Sequence, residues 1–412
     1  MVNAPVVLVL AFFMLVTAGS AISTEIQNAQ GSSQAVFSPS CQAAAQGSPK
    51  IMQALEAISV RPSAGAYDRL GAAFAEQKVV GCAVESYRAA VRLDPGLWLT
   101  RYYLALALIS EGENQRAVEE LQRAVAQKSD FFPAHGALGL ALQNLGKPDE
   151  AAEAYRDAIK LNPAFSQAAL SLAQILQTQK KYPAAIHYLQ QALSSKPARE
   201  LFYQILLSLG AAYVTNGQGD ETLATLEKLV NEFPESSEAH LNLGVLLIEL
   251  LRYQQAETEF EKALRLDPGN QSARLSLGKA MLEAGHNEAA VPVLEEYLKG
   301  TPNDFEACHV LGEAYRRLGK PSEAIRAFSN AAKLNPKSYR ARQKLGFTLA
   351  RSGRLDEAIP ELEAAKRLNP DAPEAPYELS LIYRKKNMLP QAEAEQSAFQ
   401  DAKRRAQRSE EV

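Results

Sequence analysis

The sequence predicts an all-α protein built from consecutive helical hairpins, and three observations lead to this prediction. Within residues 305–338 the apolar side chains recur at steps of three and four, as in Leu311 and Tyr315, which places them on one face of a helix. Gly319 interrupts this pattern and Pro336 ends the one that follows, so the segment is expected to form helix, turn and helix. The same arrangement then returns along most of the chain.

The spacing of the terminating prolines sets the length of the repeating unit. Five of them lie 34 residues apart, at Pro234, Pro268, Pro302, Pro336 and Pro370. Pro95, Pro163 and Pro197 fit an earlier series of the same period, and 234 − 197 = 37 leaves three additional residues between the two series. This predicts four units over residues 64–199, an insertion at 200–202 and six units over 203–406. One hairpin cannot bury its apolar face alone, so consecutive units are expected to stack.

The recurring residues resemble a known repeat family. The spacing L-G-x-x-Y, then A-x-x-x-F, then P, as it stands in residues 305–338, is similar to that of the tetratricopeptide repeat. The resemblance covers residues 64–406 apart from the insertion. It implies a right-handed α-solenoid of about ten helix-turn-helix repeats. In that arrangement the first helices line a concave channel and the second helices cover the outside.

The segments outside the repeats have different compositions. Residues 1–24 carry no charged side chain, which predicts a signal peptide over 1–21 with cleavage at Ala21, or alternatively an uncleaved N-terminal anchor. Residues 22–48 are rich in Ser, Gln and Ala and are expected to form a flexible spacer. An amphipathic pattern over 49–63 predicts a helix that caps the first unit, and 407–412 form a polar tail. Export would place the protein in a periplasm or outside the cell.

Composition argues against several functions. A net charge of −3 does not favour nucleic acid, and contact with a membrane is expected only through residues 1–24 if they remain uncleaved. Cys41, Cys82 and Cys308 are too few and too scattered for a disulfide framework or a thiolate metal site, and an odd number leaves one unpaired in a monomer. The five histidines lie in different units, and no nucleophile or phosphate-binding motif occurs. We therefore expect no catalytic residue, no metal and no cofactor.

The resemblance also indicates which side chains face a partner, because particular first-helix positions line the channel in that family. In this sequence they are apolar early in the chain, amide-bearing in the middle and basic near the end. The candidates are Leu99, Tyr102, Tyr103, Leu106, Gln143, Gln174, Lys279, Arg316, Arg340, Lys344 and Arg384. This gradient predicts a protein or peptide segment with apolar and acidic parts. Alternatively, these residues pack between repeats or form a solvated face.

Together these patterns predict an exported, non-enzymatic scaffold that binds a partner segment in the concave channel. Two alternatives remain at this point. One is a membrane-anchored assembly or biogenesis factor of an envelope or secretion complex. The other is a regulatory subunit of an enzyme.

Overall fold

A computed structural model describes residues 39–45 and 47–410, and within this range the chain is helical without strands. It divides into two compact units, of which the first ends at Gly219 and the second begins at Asp220. The first unit contains α1 (Pro39–Ala45), α2 (Pro49–Val60), α3 (Ala64–Glu76), α4 (Val80–Leu93), α5 (Trp98–Ser110), α6 (Asn114–Gln127), α7 (Phe132–Asn144), α8 (Pro148–Leu161), α9 (Ser166–Thr178), α10 (Tyr182–Ser194) and α11 (Arg199–Thr215).

The next helix, α12 (Gly219–Glu232), begins at the division between the units. The second unit continues with α13 (Ser237–Glu249), α14 (Tyr253–Leu266), α15 (Gln271–Ala284), α16 (Asn287–Gly300), α17 (Phe305–Arg317), α18 (Pro321–Leu334), α19 (Tyr339–Arg351), α20 (Leu355–Leu368), α21 (Glu374–Lys385) and α22 (Leu389–Glu410). We call the odd-numbered helices from α3 onward the first helices and the even-numbered ones from α4 onward the second helices.

Within each unit, consecutive helices pack against one another. The hairpins α3/α4 to α9/α10 form in the first unit and α13/α14 to α21/α22 in the second, and each of their second helices before α22 also packs on the first helix that follows. The predicted all-α fold of stacked helical hairpins is therefore confirmed. Residues 200–202 lie in the first turn of α11, which has 17 residues where α9 and α13 have 13.

The turns inside the hairpins use a left-handed backbone residue. Gly319 has φ 68° between α17 and α18, the conformation in which glycine pays no steric cost. At the same repeat position Lys180 and Leu251 have φ 59° and 58°. The turn geometry is thus kept even where the sequence lacks glycine, because the packed helices on both sides impose it.

Six of the described hairpins are closed by a glycine on the first helix and a large side chain on the second. Gly312 on α17 faces Phe328 on α18 so closely that an added Cβ would lie 2.7 Å from the ring. Gly244 and Phe260 repeat this arrangement at 2.6 Å. Both rings are fully buried, so the glycine is needed for the ring to fill the space between the helices.

A second recurring contact, which we call the loop latch, joins the loop before a first helix to the second helix of the same hairpin. A cationic or imidazole side chain six residues after the terminating proline contacts that proline's carbonyl and a glutamate on the second helix. The latch occurs as Arg101 with Pro95 and Glu120, His240 with Pro234 and Glu259, and Arg342 with Pro336 and Glu361. In the Arg101 latch the guanidinium donates to the carboxylate at 2.5 Å and to the carbonyl at 3.1 Å. The latch thus gives a hydrogen-bond donor to the proline carbonyl in the loop between one helix and the next.

The N-terminal segment corrects part of one sequence prediction. The sequence predicts a flexible spacer over residues 22–48, yet α1 forms near its C-terminal end and Cys41 is only 1% exposed. The cause is a disulfide between Cys41 and Cys82 of α4, with Cα atoms 5.5 Å apart, which ties the short helix to the first hairpin. Cys308 remains as a buried thiol. Residues 1–38, including Ala21, lie outside the described residues.

Candidate partner-binding faces of the two units

The apolar candidates of the first unit all lie on α5, and they divide into exposed and packed side chains. Leu99, Tyr103 and Leu106 expose 39%, 42% and 37% of their surfaces. Tyr102 is partly buried, and its ring meets that of Phe131 edge-on at 5.2 Å. The first three therefore form an apolar surface, which we call the α5 patch, and Tyr102 supports it from the side.

Aromatic packing holds the α5 patch in place. The ring of Tyr103 stacks on Tyr87 of α4 at 6.1 Å and lies 5.5 Å from Tyr102. Trp98 meets Phe131 at 5.0 Å. Burial raises the pKa of the Tyr102 hydroxyl above its usual value. The exposed Tyr103 ring is thus positioned by one ring on α4 and by the neighbouring ring on its own helix.

The amide candidates lie on α7 and α9 of the same unit. Gln143 is exposed, but its side-chain oxygen accepts a hydrogen bond at 3.0 Å from the hydroxyl of Tyr155. Gln174 forms no side-chain hydrogen bond within the described chain. Gln177, one turn further along α9, donates to the carbonyl of Ser208 on α11 at 2.8 Å. Part of the amide stretch therefore joins neighbouring helices. This agrees with the alternative in which these residues pack between repeats.

In the second unit, most of the basic candidates are paired with carboxylates. Glu313 of α17 accepts hydrogen bonds from Arg316 at 2.5 and 2.9 Å and lies 3.5 Å from the ammonium of Lys344. These hydrogen bonds, helped by the charges of Lys344 and Arg317, lower the pKa of Glu313 from 4.5 to about 2. Glu313 thus neutralises part of the positive charge of the predicted basic stripe. The sequence pattern did not indicate this.

The other basic candidates differ from one another. Lys279 of α15 forms an ion pair with Glu306 at 2.6 Å. Arg384 of α21 donates to the side chain of Gln396 at 3.3 Å. Arg340 is exposed at the start of α19 and has no ion pair within the described part of the chain. Among these candidates Arg340 is therefore the cation most available to a partner.

A cavity of about 450 Å³ lies beside these charges, between α17, α19 and α21, and we call it the α19 cavity. Its apolar walls are Phe347, Tyr377 and Phe399, and the rings of the last two lie 5.3 Å apart. Its polar edge carries the basic groups of Arg316 and Lys344 together with the carboxyl groups of Glu374 and Glu378. The structure thus brings two of the predicted basic residues together with an aromatic surface that was not predicted.

Phe399 is the lining residue that sequence reasoning missed, although a signal for it exists. It occupies the repeat position at which most units carry a small residue, namely Ala90, Ala124, Ala158, Ala192, Ala263, Ala331 and Ala365. The larger ring of the last unit extends from α22 to reach Tyr377 on α21. A comparison of the units position by position would have identified it.

Profile comparison decides the family. The family described as "Tetratricopeptide repeat" matches residues 81–130, 137–200, 207–270, 309–373 and 344–408, and a second profile of the same description matches 247–313. The chain belongs to the tetratricopeptide repeat family.

Individual tetratricopeptide relatives match only parts of the chain. BBSome complex member BBS4 of Bos taurus is 27% identical over 201 residues, which is 48% of this chain and 37% of that protein. DnaJ homolog subfamily C member 3 of Mus musculus is 22% identical over 187 residues, or 41% of this chain and 36% of that one. The chain thus spans little more than a third of the length of these curated relatives.

Solved structures of tetratricopeptide proteins also match. MamA from Desulfovibrio magneticus RS-1 is 26% identical, with a TM-score of 0.39, and the match covers 40% of this chain and 94% of MamA. PilF of Pseudomonas aeruginosa is 19% identical, with a TM-score of 0.43 and coverage of 52% and 96%.

Between residues 39 and 410, residue 46 apart, no group of three or more histidine, cysteine, aspartate or glutamate side chains is arranged to hold a metal ion. Within the same range, no helix has both the length and the apolar character needed to cross a membrane.

Proposed function

We propose that this tetratricopeptide protein is a non-enzymatic scaffold that binds a segment of a partner protein on its first-helix faces. The observation that carries the proposal is the α19 cavity, where aromatic walls lie beside the basic groups of Arg316 and Lys344. A volume of about 450 Å³ falls in the range of sites that enclose a ligand group. An apolar side chain of the partner enters the cavity, and an acidic group beside it meets the basic edge.

The charges around the cavity support the acidic part of this proposal. Arg340 lies one helical turn before Lys344 on the same face of α19 and carries no carboxylate partner in the described chain. Lys344 shares Glu313 with Arg316 and Arg317, so its ammonium keeps donors available. An acidic group of the partner would pair with these two cations and thereby set the direction in which the segment lies.

The α5 patch offers a second contact of the same kind in the first unit. Its three exposed apolar residues rest on packed aromatic rings, so little conformational freedom is lost when a partner covers them. We propose that it binds an apolar part of the partner, separately from the α19 cavity.

Site-specific crosslinking tests the proposal. A photoreactive phenylalanine analogue replaces Tyr377 in the full chain, expressed in its native cell. We expect a discrete crosslinked partner that is lost when Arg340→Glu is added. Arg367→Glu is the matched control, because it makes the same change of charge at an exposed site on the second helix of the same hairpin, and it should keep the crosslink.

Two outcomes would contradict the proposal. For the first, the analogue is placed instead at exposed position 367 on the second helix. Crosslinked products identical to those obtained with the analogue at position 377 would contradict the proposal. The other is a partner whose capture is unchanged by Arg340→Glu.

We also propose that the protein is exported. The uncharged residues 1–24 support a cleaved signal peptide, and the disulfide between Cys41 and Cys82 suits an oxidising compartment, because thiols in the cytosol are kept reduced. N-terminal sequencing of the mature protein tests this. A start near Ile22 agrees with export after cleavage, whereas an intact Met1 would favour the membrane-anchored alternative.

A further inference from the structure

The second-helix side of the first unit contains a separate cavity of about 520 Å³, between α4 and α6 and above α5. Its floor is apolar and buried, formed by Val91, Leu104 and Leu108. Its rim carries four arginines, which are Arg88 and Arg92 of α4 and Arg116 and Arg123 of α6. We call it the arginine cavity. It takes no part in the partner binding proposed above.

The charges of the arginine cavity are not balanced by its own carboxylates. With Arg101 at its base, five guanidinium groups line it against Glu119 and Glu120, which leaves an excess of 5 − 2 = 3 positive charges. Both Arg101 and Arg123 donate to the single carboxylate of Glu120, at 2.5 and 2.7 Å. Like charges held this close repel one another, so the arrangement favours binding of an anion.

The two arginines of α4 are the least satisfied. Arg88 is partly buried and Arg92 is exposed, and neither forms a hydrogen bond or ion pair within the described chain, although the charge of Arg88 acts on the carboxyl group of Glu111. They are four residues apart on one helix, so both guanidinium groups lie on the same face. Among the described residues, Arg116 pairs only with the partly exposed Glu113, at 2.6 Å, and an ion pair this open to solvent is weak in water.

Comparison of the same repeat positions in other units shows whether packing of the hairpins requires the four rim arginines. The four rim arginines occupy the twenty-fifth and twenty-ninth positions of one unit and the nineteenth and twenty-sixth positions of the next. At the α6/α8 junction the same positions hold Gln122, Ala126, Glu150 and Asp157, and at α8/α10 they hold Arg156, Lys160, Ala184 and Gln191. These hairpins stack equally well without the four arginines. The fold therefore does not require them.

We infer that the arginine cavity binds a compact multivalent phosphate, either as a free molecule or as part of a phosphorylated one. Guanidinium groups form paired hydrogen bonds with phosphate oxygens, and each phosphate brings more negative charge into a small volume than a carboxylate does. An anion with two or more phosphates can reach arginines on both α4 and α6 at once. An acidic peptide carries one charge per side chain and spreads it along an extended backbone, so it matches a cavity of this size less well.

Isothermal titration of the full chain with inorganic tripolyphosphate, at fixed low salt, tests the inference. We expect saturable binding of one anion per chain and much weaker binding of orthophosphate, which cannot span the two helices. The variant Arg88→Gln with Arg92→Gln should bind tripolyphosphate at least about tenfold more weakly, because it removes charge-assisted hydrogen bonds. Glutamine is the residue that the array itself carries at the twenty-fifth position in Gln122 and Gln190, so the fold should be retained.

The matched control is Arg156→Gln with Lys160→Gln, which removes two charges from the same positions of another unit. It should bind tripolyphosphate as the wild-type protein does. Equal weakening in both double variants would show general electrostatic attraction and overturn the inference. So would binding that is unchanged by Arg88→Gln with Arg92→Gln, absence of saturable binding, or tighter binding of a hexaglutamate peptide than of tripolyphosphate.

If tripolyphosphate binds as expected, a second titration distinguishes the two sources of phosphate. A peptide with two adjacent phosphoserines that binds more tightly than tripolyphosphate indicates a phosphorylated protein. The reverse order indicates a free polyphosphate. Either result supports the inference.

Discussion

Replacing Gly312 by alanine tests how the hairpins are closed. The added Cβ would lie 2.7 Å from two ring carbons of Phe328, whose side chain is fully buried between α17 and α18. A flat ring held on all sides cannot move away by rotating about a single bond. We therefore expect the substitution to separate the two helices locally and to lower the free energy of unfolding.

The expected change in the free energy of unfolding follows from two opposing effects. Overpacking of a filled interior costs up to about 3 kcal/mol, and replacing glycine by alanine within a helix returns about 1 kcal/mol. The expected net loss is about 2 kcal/mol. Gly278→Ala is the matched control, because there the Cβ would meet Cδ2 and Cγ of Leu294, at 2.5 and 2.7 Å, and an aliphatic side chain can relieve such contacts by a change of rotamer more easily than a flat ring can. Its net loss should be clearly smaller than that of Gly312→Ala.

A double-mutant cycle isolates the contact between the two residues. In a Phe328→Leu background, Gly312→Ala should cost little, and the coupling energy should be about 2 kcal/mol. The chain already contains this combination, since Ala105 and Leu121 occupy the corresponding positions. Urea unfolding of all four proteins, followed by circular dichroism, measures the cycle. A coupling energy near zero, or an equal loss for Gly278→Ala, would refute the steric explanation.

Three further outcomes are expected. Cys82→Ser should release α1 and reduce stability by about 2–4 kcal/mol, because it opens a loop of 41 residues; hydrogen exchange of residues 39–45 measures the release. Arg342→Met removes a loop latch and should cost about 1–2 kcal/mol in urea unfolding, whereas the exposed Arg340→Met should change stability by less than about 0.5 kcal/mol. Glu313→Gln should lower stability by about 1–2 kcal/mol at neutral pH, after allowance for solvent screening. Because the pKa of Glu313 is lowered from 4.5 to about 2, this difference is fully present above pH 4.5 and disappears as the pH falls toward 2.

Each of these expectations has a contrary result. Slow hydrogen exchange in α1 of Cys82→Ser would show that packing alone holds the helix. Equal losses for Arg342→Met and Arg340→Met would mean that the latch contributes no specific stabilisation. A difference between Glu313→Gln and the wild-type protein that stays constant from pH 6 to pH 3 would show that the carboxylate is not stabilised by its basic neighbours.

The amino-acid sequence was sufficient to predict the hairpins because each depends on residues close together in the chain. The steps of three and four around Leu311, the break at Gly319 and the stop at Pro336 are local signals, and their recurrence at one spacing makes them reliable. The family resemblance, rather than periodicity, assigned Leu99, Tyr103 and Leu106 to the channel face, and all three side chains are exposed.

Contacts between elements distant in sequence could not be predicted in this way. Cys41 pairs with a residue 41 positions away, and nothing in its own Ser- and Ala-rich surroundings indicates that a helix forms there. The ion pairs of the basic stripe could not be predicted either. Sequence spacing placed Arg316, Arg340 and Lys344 on one face but did not show that Glu313 binds Arg316 and Lys344.

The two cavities could not be predicted for the same reason, because they depend on contacts between separate helices. A periodic pattern specifies which face of a helix is buried, because burial follows from the helical repeat itself. It does not specify how far a side chain on one helix extends toward another. The space around Phe399 and the facing of Arg88 and Arg92 toward Arg116 and Arg123 arise only when separate helices are packed together, since distances between them depend on every side chain in the interface.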